Sequence, residues 1–350
     1  MMSMDKFHTL TQLLDNAGCQ YKIYDLGRRV SEIDINQFKA VEDNRQPYPW
    51  PLQQHAHLSI SFWQQGNPPW IWFLRLPLDE RGLLKQAAVG DFIKYVIEAM
   101  GATLNSTPTE EEQEKLAANP YTFKPNDDKM AIFHAHLRHQ LALPASQYYE
   151  HAQHYLTGDL GWEQWQGVGL QGLADVCARM RQENNSTLLR KALANLPMTP
   201  LYALIGCLEH CDLPESLSQR IIERLDDETT QPEPDLFLIS ALIRALSGSD
   251  SALLSQQLKH LLAVPALCHP EILVAITGRC WNGLADTEIA SLFLQRLAET
   301  EDQTLFNQLF ADLVMLPVLR GIMLQVLHGQ ANPALVAAIA KLQQHARGQA

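Results

Sequence analysis

The sequence predicts an α+β domain, built as a small and mostly antiparallel sheet with helices, followed by an all-α helical-repeat domain. Three observations predict it. Residues 57–101 read as two hydrophobic strands, a tight turn and one long amphipathic helix. From Trp162 onward no segment shows strand alternation, and apolar residues recur at helical spacing in blocks of about a dozen. The starts of those blocks near residues 199, 235, 270 and 303 lie about 35 apart, a helical-hairpin repeat period.

The first element is a helix over residues 5–16. Phe7, Leu10, Leu13, Leu14 and Ala17 fall at helical spacing, and Gly18 follows as a C-cap. Residues 21–26 (YKIYDL) form a short strand broken at Gly27, and residues 28–33 pair back onto it. Residues 35–41 are a short helix. Residues 45–52 (RQPYPWPL) carry three prolines, which remove backbone donors and fix φ, so this is a loop bearing Tyr48 and Trp50.

The hairpin comes next. Residues 57–64 (HLSISFWQ) put Leu58, Ile60 and Phe62 on one face. Gly66-Asn67-Pro68-Pro69 is the turn, and residues 70–78 (WIWFLRLPL) are the second strand. Asp79-Glu80-Arg81-Gly82 ends it and leads into a helix over residues 83–100. The prolines before the hairpin leave little room for a helical crossover, which argues against a parallel βαβ arrangement.

The expected domain limits are 1–118 for the α+β domain, 119–161 for a linker with connecting helices, and 162–350 for the helical domain. In the last, helices are expected over 163–181, 187–195, 199–211, 215–225, 235–247, 252–262, 270–281, 286–298, 303–315, 319–327 and 333–345. Each hairpin has too little apolar face to fold alone, so neighbours stack into one continuous core. A HEAT-like α-solenoid is the leading reading, and a globular helical bundle is the alternative.

Composition bounds function mostly by exclusion. The chain has 350 residues, of which 46% are hydrophobic and 19% charged, the balance of a globular protein. Its 27 basic and 39 acidic residues give a net charge of −12. A field of that sign opposes binding to nucleic acid or to an anionic membrane. The six cysteines form no CxxC pair and sit in apolar stretches, as reduced buried thiols do. No basic leader precedes an uninterrupted apolar core, and the most apolar long segment, 305–327, is broken by Asp312, Pro317, Arg320 and Gly321. The expected location is the cytoplasm.

Five stretches carry a family likeness: YDLGRRV (24–30), PWIWFLRLPLDERGLL (69–84), NPYTFKP (119–125), QYYEHAQHYL (147–156) and WQGVGLQGLAD (165–175). Together they resemble a gammaproteobacterial family defined as domain of unknown function 3549. The resemblance covers nearly the whole chain and is most specific in its first half. It implies a bacterial cytoplasmic protein. It implies no activity, no catalytic residue and no cofactor.

Several residue groups suit a site, and each also has a plain structural role. Gly167–Gly172 (GVGLQG) is a literal GxGxxG, but no strand precedes it. Without a strand to aim pyrophosphate at a helix N-terminus, small residues that let a neighbouring helix approach are the better reading. His151 and His154 are an i, i+3 pair able to share a metal, but HExxH is absent and packing or solvent-facing histidines are the better reading. Cys207 and Cys211 flank a core stripe and read as free thiols. Arg28 and Arg29, after a strand, suit an anion. Trp70 and Trp72 share one sheet face, and this face is either covered or a docking surface. The function expected is an adaptor or regulatory scaffold with a protein partner. The alternative is an enzyme or a small-ligand or metal-binding protein, with its site between the N-terminal sheet and the histidine-bearing helices.

Overall fold

The computed structural model describes residues 7–101, 104, 109–329 and 332–348. The chain divides into two compact units. One comprises Met1–Pro125 with Met315–Pro317, the other Asn126–Val314 with Val318–Ala350. The helices at 127–156, expected as connectors, therefore belong to the second unit.

The first unit is a four-stranded sheet with helices on one face. Its elements are α1 (Leu10–Asn16), β1 (Gln20–Asp25), β2 (Ser31–Ile33), α2 (Ile35–Glu42), β3 (His55–Trp63), β4 (Trp70–Pro77), α3 (Gln86–Met100) and α4 (Glu110–Ala117). Strand order is β2-β1-β3-β4, and every pair is antiparallel. Ile23 lies opposite Ile60, and Ile60 opposite Trp72. The period of two puts these on one face with Tyr21, Leu58, Phe62, Leu74 and Leu76, all buried in the core.

Val89, Phe92, Ile93 and Val96 of α3 recur at helical spacing and pack onto the same core. Burying each such side chain stabilises the unit by roughly 1.5–3 kcal/mol. Asp34 starts α2 by accepting the backbone N–H of Asn36 and Gln37. The proline loop is anchored from within, because Tyr48 is fully buried and its N–H donates to the Gly82 carbonyl. The outer edge of β4 is paired too: Arg75 N donates to Tyr121 O and Phe123 N to Phe73 O. Residues 121–123, expected as linker, thus complete the sheet edge.

The second unit is helical throughout its described residues. It runs α5 (Asp127–Gln140), α6 (Tyr149–Leu156), α7 (Leu170–Ala178), α8 (Asn185–Asn195), α9 (Met198–Leu208), α10 (Glu215–Thr229), α11 (Leu236–Ala245), α12 (Ser251–Leu262), α13 (Pro270–Arg279), α14 (Thr287–Glu299), α15 (Gln303–Met315), α16 (Pro317–Val326) and α17 (Pro333–Gly348). Alternate helices pack on one another: α5 on α7, α7 on α9, α9 on α11, and α11 on α13. Likewise α6 meets α8, α8 meets α10, and α12 meets α14. Asp235, Asp250 and Asp286 cap α11, α12 and α14 through their carboxylates.

One expected helix is corrected. Residues 163–181 are not continuous: a 3-10 turn at Trp165–Gly167 precedes α7. Gly167 and Gly169 lie at the break, where each would cost about 1 kcal/mol relative to alanine inside a helix.

Candidate functional site

The residues singled out in the first unit lie inside it. Trp72 is 5% exposed, with its ring 4.3 Å from Phe62 and edge-on at 5.6 Å to Phe92. It is core, covered by α3, and has no face left for a partner. Trp70, at the end of the same strand, is 39% exposed. Arg28 is fully buried; its N–H donates to Asp25 and its Nε to the Pro51 carbonyl, while Tyr48 Oη donates to the other Asp25 oxygen at 2.7 Å. Arg29 is buried as well. Neither guanidinium presents a surface on which an anion from solution would land. Gly27 fits this cluster because a Cβ there would meet Asp25 Oδ1 at 3.2 Å and His57 Nδ1 at 3.4 Å.

In the second unit, His151 and His154 sit exposed on α6. Among the described residues, no group of three or more His, Cys, Asp or Glu side chains is placed to hold a metal. The pair therefore gains no third ligand from the fold. Cys207 and Cys211 are buried; Cys211 Sγ lies 3.7 Å from His136 Nε2 and donates to the Cys207 carbonyl. Burial, with Cys207 beside it, pushes the thiol of the neighbouring Cys177 up, away from the reactive thiolate. Of the GxGxxG glycines, Gly172 serves helix contact, whereas a Cβ at Gly169 would meet nothing within 4 Å. A Cβ at Gly172 would sit 2.6 Å from the Tyr148 carbonyl and 2.9 Å from Ala152 Cβ, so only glycine lets α6 lie this close to α7.

The chemistry that the fold does assemble lies across α9, α11 and α13. Glu209, Arg244 and Arg279 follow the ends of these helices or close them, and they are spaced 35 residues apart. Glu209 accepts from both arginines: Arg244 Nε at 3.1 Å and Arg279 Nε at 2.9 Å. His210 Nε2 lies 3.3 Å from the same carboxylate, and the Glu209 carbonyl accepts from Ser247. Arg244 Nη1 donates to Ser240 Oγ, which donates to Glu271. This ladder borders a cleft of about 440 Å³, also lined by Lys129, Tyr202, Gly206, Val274 and Gly278. Burial, with Asp235 nearby, raises the Tyr202 phenol, so it stays protonated and able to donate.

The cleft floor is bare. Gly206 and Gly278 are both helical, neither has positive φ, and an added Cβ at either would meet nothing within 4 Å. Alanine at each would stabilise its helix by about 1 kcal/mol. Neither backbone conformation nor packing within the chain requires glycine there.

A family model described as protein of unknown function (DUF3549) matches residues 5–343. The chain belongs to the DUF3549 family. No curated protein and no solved structure matches it. In this DUF3549 chain the ladder was missed by sequence reasoning, although its signal was present. Reading charged residues at the 35-residue period already visible in the helix starts picks out Glu209, Arg244 and Arg279 directly.

Proposed function

We propose that this protein is a cytoplasmic protein-interaction adaptor, and that its second unit is a HEAT-like array of stacked helix pairs. The α5–α7–α9–α11–α13 layer is the binding layer, and the cleft over α9, α11 and α13 is where a partner seats. One observation carries this reading: equivalent positions of successive helix pairs, 35 residues apart, deliver charged side chains into one open cleft floored by glycine. Stacked helix pairs of this kind build extended grooves from side chains that recur once per pair. Val274 on α13, exposed and lining the same cleft, adds apolar contact of the kind a protein partner needs. Among the described residues no helix is long and apolar enough to cross a membrane.

The test is co-purification of the full chain from a bacterial cell at moderate salt, then reassembly from purified components. A protein present at stoichiometric ratio that re-forms the complex supports the adaptor reading. A full chain that brings nothing with it above background sinks it.

A further inference from the structure

We propose that the occupant of the α9–α11–α13 cleft is an extended acidic segment of a partner protein, held by a carboxylate laid against the Arg244 and Arg279 guanidiniums. The inference rests on the docking role proposed above and names the chemistry of the partner.

The two arginines are fixed before anything binds. One carboxylate, Glu209, takes the Nε–H of both. Arg244 Nη1 is held by Ser240 Oγ at 2.8 Å and lies 3.6 Å from Glu271, while Arg279 Nη1 donates to the Gly278 carbonyl. Among the described residues, neither Nη2 makes a hydrogen bond. The side chains remain 31% and 20% exposed, and both line the cleft. Two neighbouring guanidiniums with immobilised stems and unused amino groups present planar donors that match a carboxylate. Their rotamer entropy is already lost in the free protein, which favours binding.

The floor sets the shape of the occupant. With no side chain at Gly206 or Gly278, a peptide backbone can lie close against the helices. Tyr202 and Val274 offer contact to apolar residues between the acidic ones. An extended chain alternating acidic and apolar residues fits both features. Glu271, engaged by Ser240, and Asp128 also line the cleft and disfavour a second acidic residue beside them. The net charge of −12 repels an acidic segment at long range, so recognition is short-range and association slow.

The test uses the full chain and a fluorescein-labelled nonapeptide alternating glutamate and leucine, with a lysine–leucine peptide as control, read by anisotropy. The glutamate peptide is expected to bind and the lysine peptide not. R244Q/R279Q weakens binding by roughly tenfold or more. Because that pair also neighbours a mostly buried Glu209, Gly278→Leu is the second variant. It fills the open floor without touching an ion pair, and is expected to abolish binding while the melting temperature stays at or above wild type. Equal binding of both peptides, no binding, or binding unchanged in Gly278→Leu overturns the inference. A native partner that co-purifies and is retained by both variants overturns it while leaving the adaptor role standing. Failure of co-purification alone strikes the adaptor role.

Discussion

Glu42 shows how one buried carboxylate can tie two helices together. It closes α2, yet its oxygens accept the N–H groups of Leu10 and Thr11 at 2.7 and 3.2 Å and the Thr11 hydroxyl at 2.5 Å. These are orphan donors of the first turn of α1, so the cap comes from another helix as well as from Thr9. Burial raises the Glu42 carboxyl from 4.5 to about 7, the hydrogen bonds from Thr11 and Leu10 offsetting only part of the effect. A carboxyl whose folded pKa exceeds its unfolded one binds its proton more tightly when folded. Its contribution is therefore fully present below pH 4.5 and is lost as pH rises toward 7. The loss amounts to something on the order of 3 kcal/mol. Glu42→Gln keeps an acceptor for the α1 donors and removes the titration. Urea unfolding at pH 5 and pH 8 is expected to show a smaller difference between the two pH values for the variant than for wild type. Identical pH slopes would mean that Glu42 stays ionised throughout.

At the scale of elements, paired substitutions separate residues that look alike in the sequence. Gly172 and Gly206 are both glycines in helices, but only Gly172 meets backbone where a Cβ would stand. Gly172→Ala is expected to force α6 from α7 and destabilise by roughly 1–3 kcal/mol. Gly206→Ala is expected to stabilise by about 1 kcal/mol, since nothing lies within reach. Thermal melts of the two variants check the opposite signs; shifts in the same direction would refute this account of the glycines. Trp70 and Trp72 divide in the same way. Trp72→Ala should cost roughly 3–5 kcal/mol and Trp70→Ala under about 1 kcal/mol, measured by chemical denaturation. Comparable losses would contradict the burial of Trp72 alone. The strands and helices themselves were legible, because period-2 and period-3.6 patterns are local: the hairpin, β1, β2, α2 and α3 stand close to where their residues place them. Which sheet face takes the helices was not legible, since β4 is rich in apolar residues on both faces. Only the register of Ile23, Ile60 and Trp72 with α3 decides it.

For the whole molecule, the legible part was the order of architectures, strands first and then helices only. The candidate site was less legible. Arg28 reads in the sequence as an anion receiver because a guanidinium suits bidentate carboxylate or phosphate contacts, whereas the fold buries it. Glu209, Arg244 and Arg279 were passed over for a different reason: charges near helix ends read as ordinary surface unless they are compared at the 35-residue period, and the packing of α9, α11 and α13 is what brings them together. That packing also makes the ladder a test of cooperativity. In a strictly linear array each helix pair interacts with its nearest neighbours only. Glu209 and Arg279 stand 70 residues apart and touch across the intervening α11, at 2.9 Å. The ion pair is thus a second-neighbour contact, and Glu209 is mostly buried, so screening by solvent is limited. A double-mutant cycle with Glu209→Gln and Arg279→Gln is expected to give a coupling energy of about 1–2 kcal/mol in urea unfolding. Single variants should also lower the urea m-value, because α9 and α13, no longer tied across α11, begin to unfold separately. Coupling below about 0.3 kcal/mol with unchanged m-values would mean that the three pairs are held by apolar packing alone and that the ladder serves only the cleft.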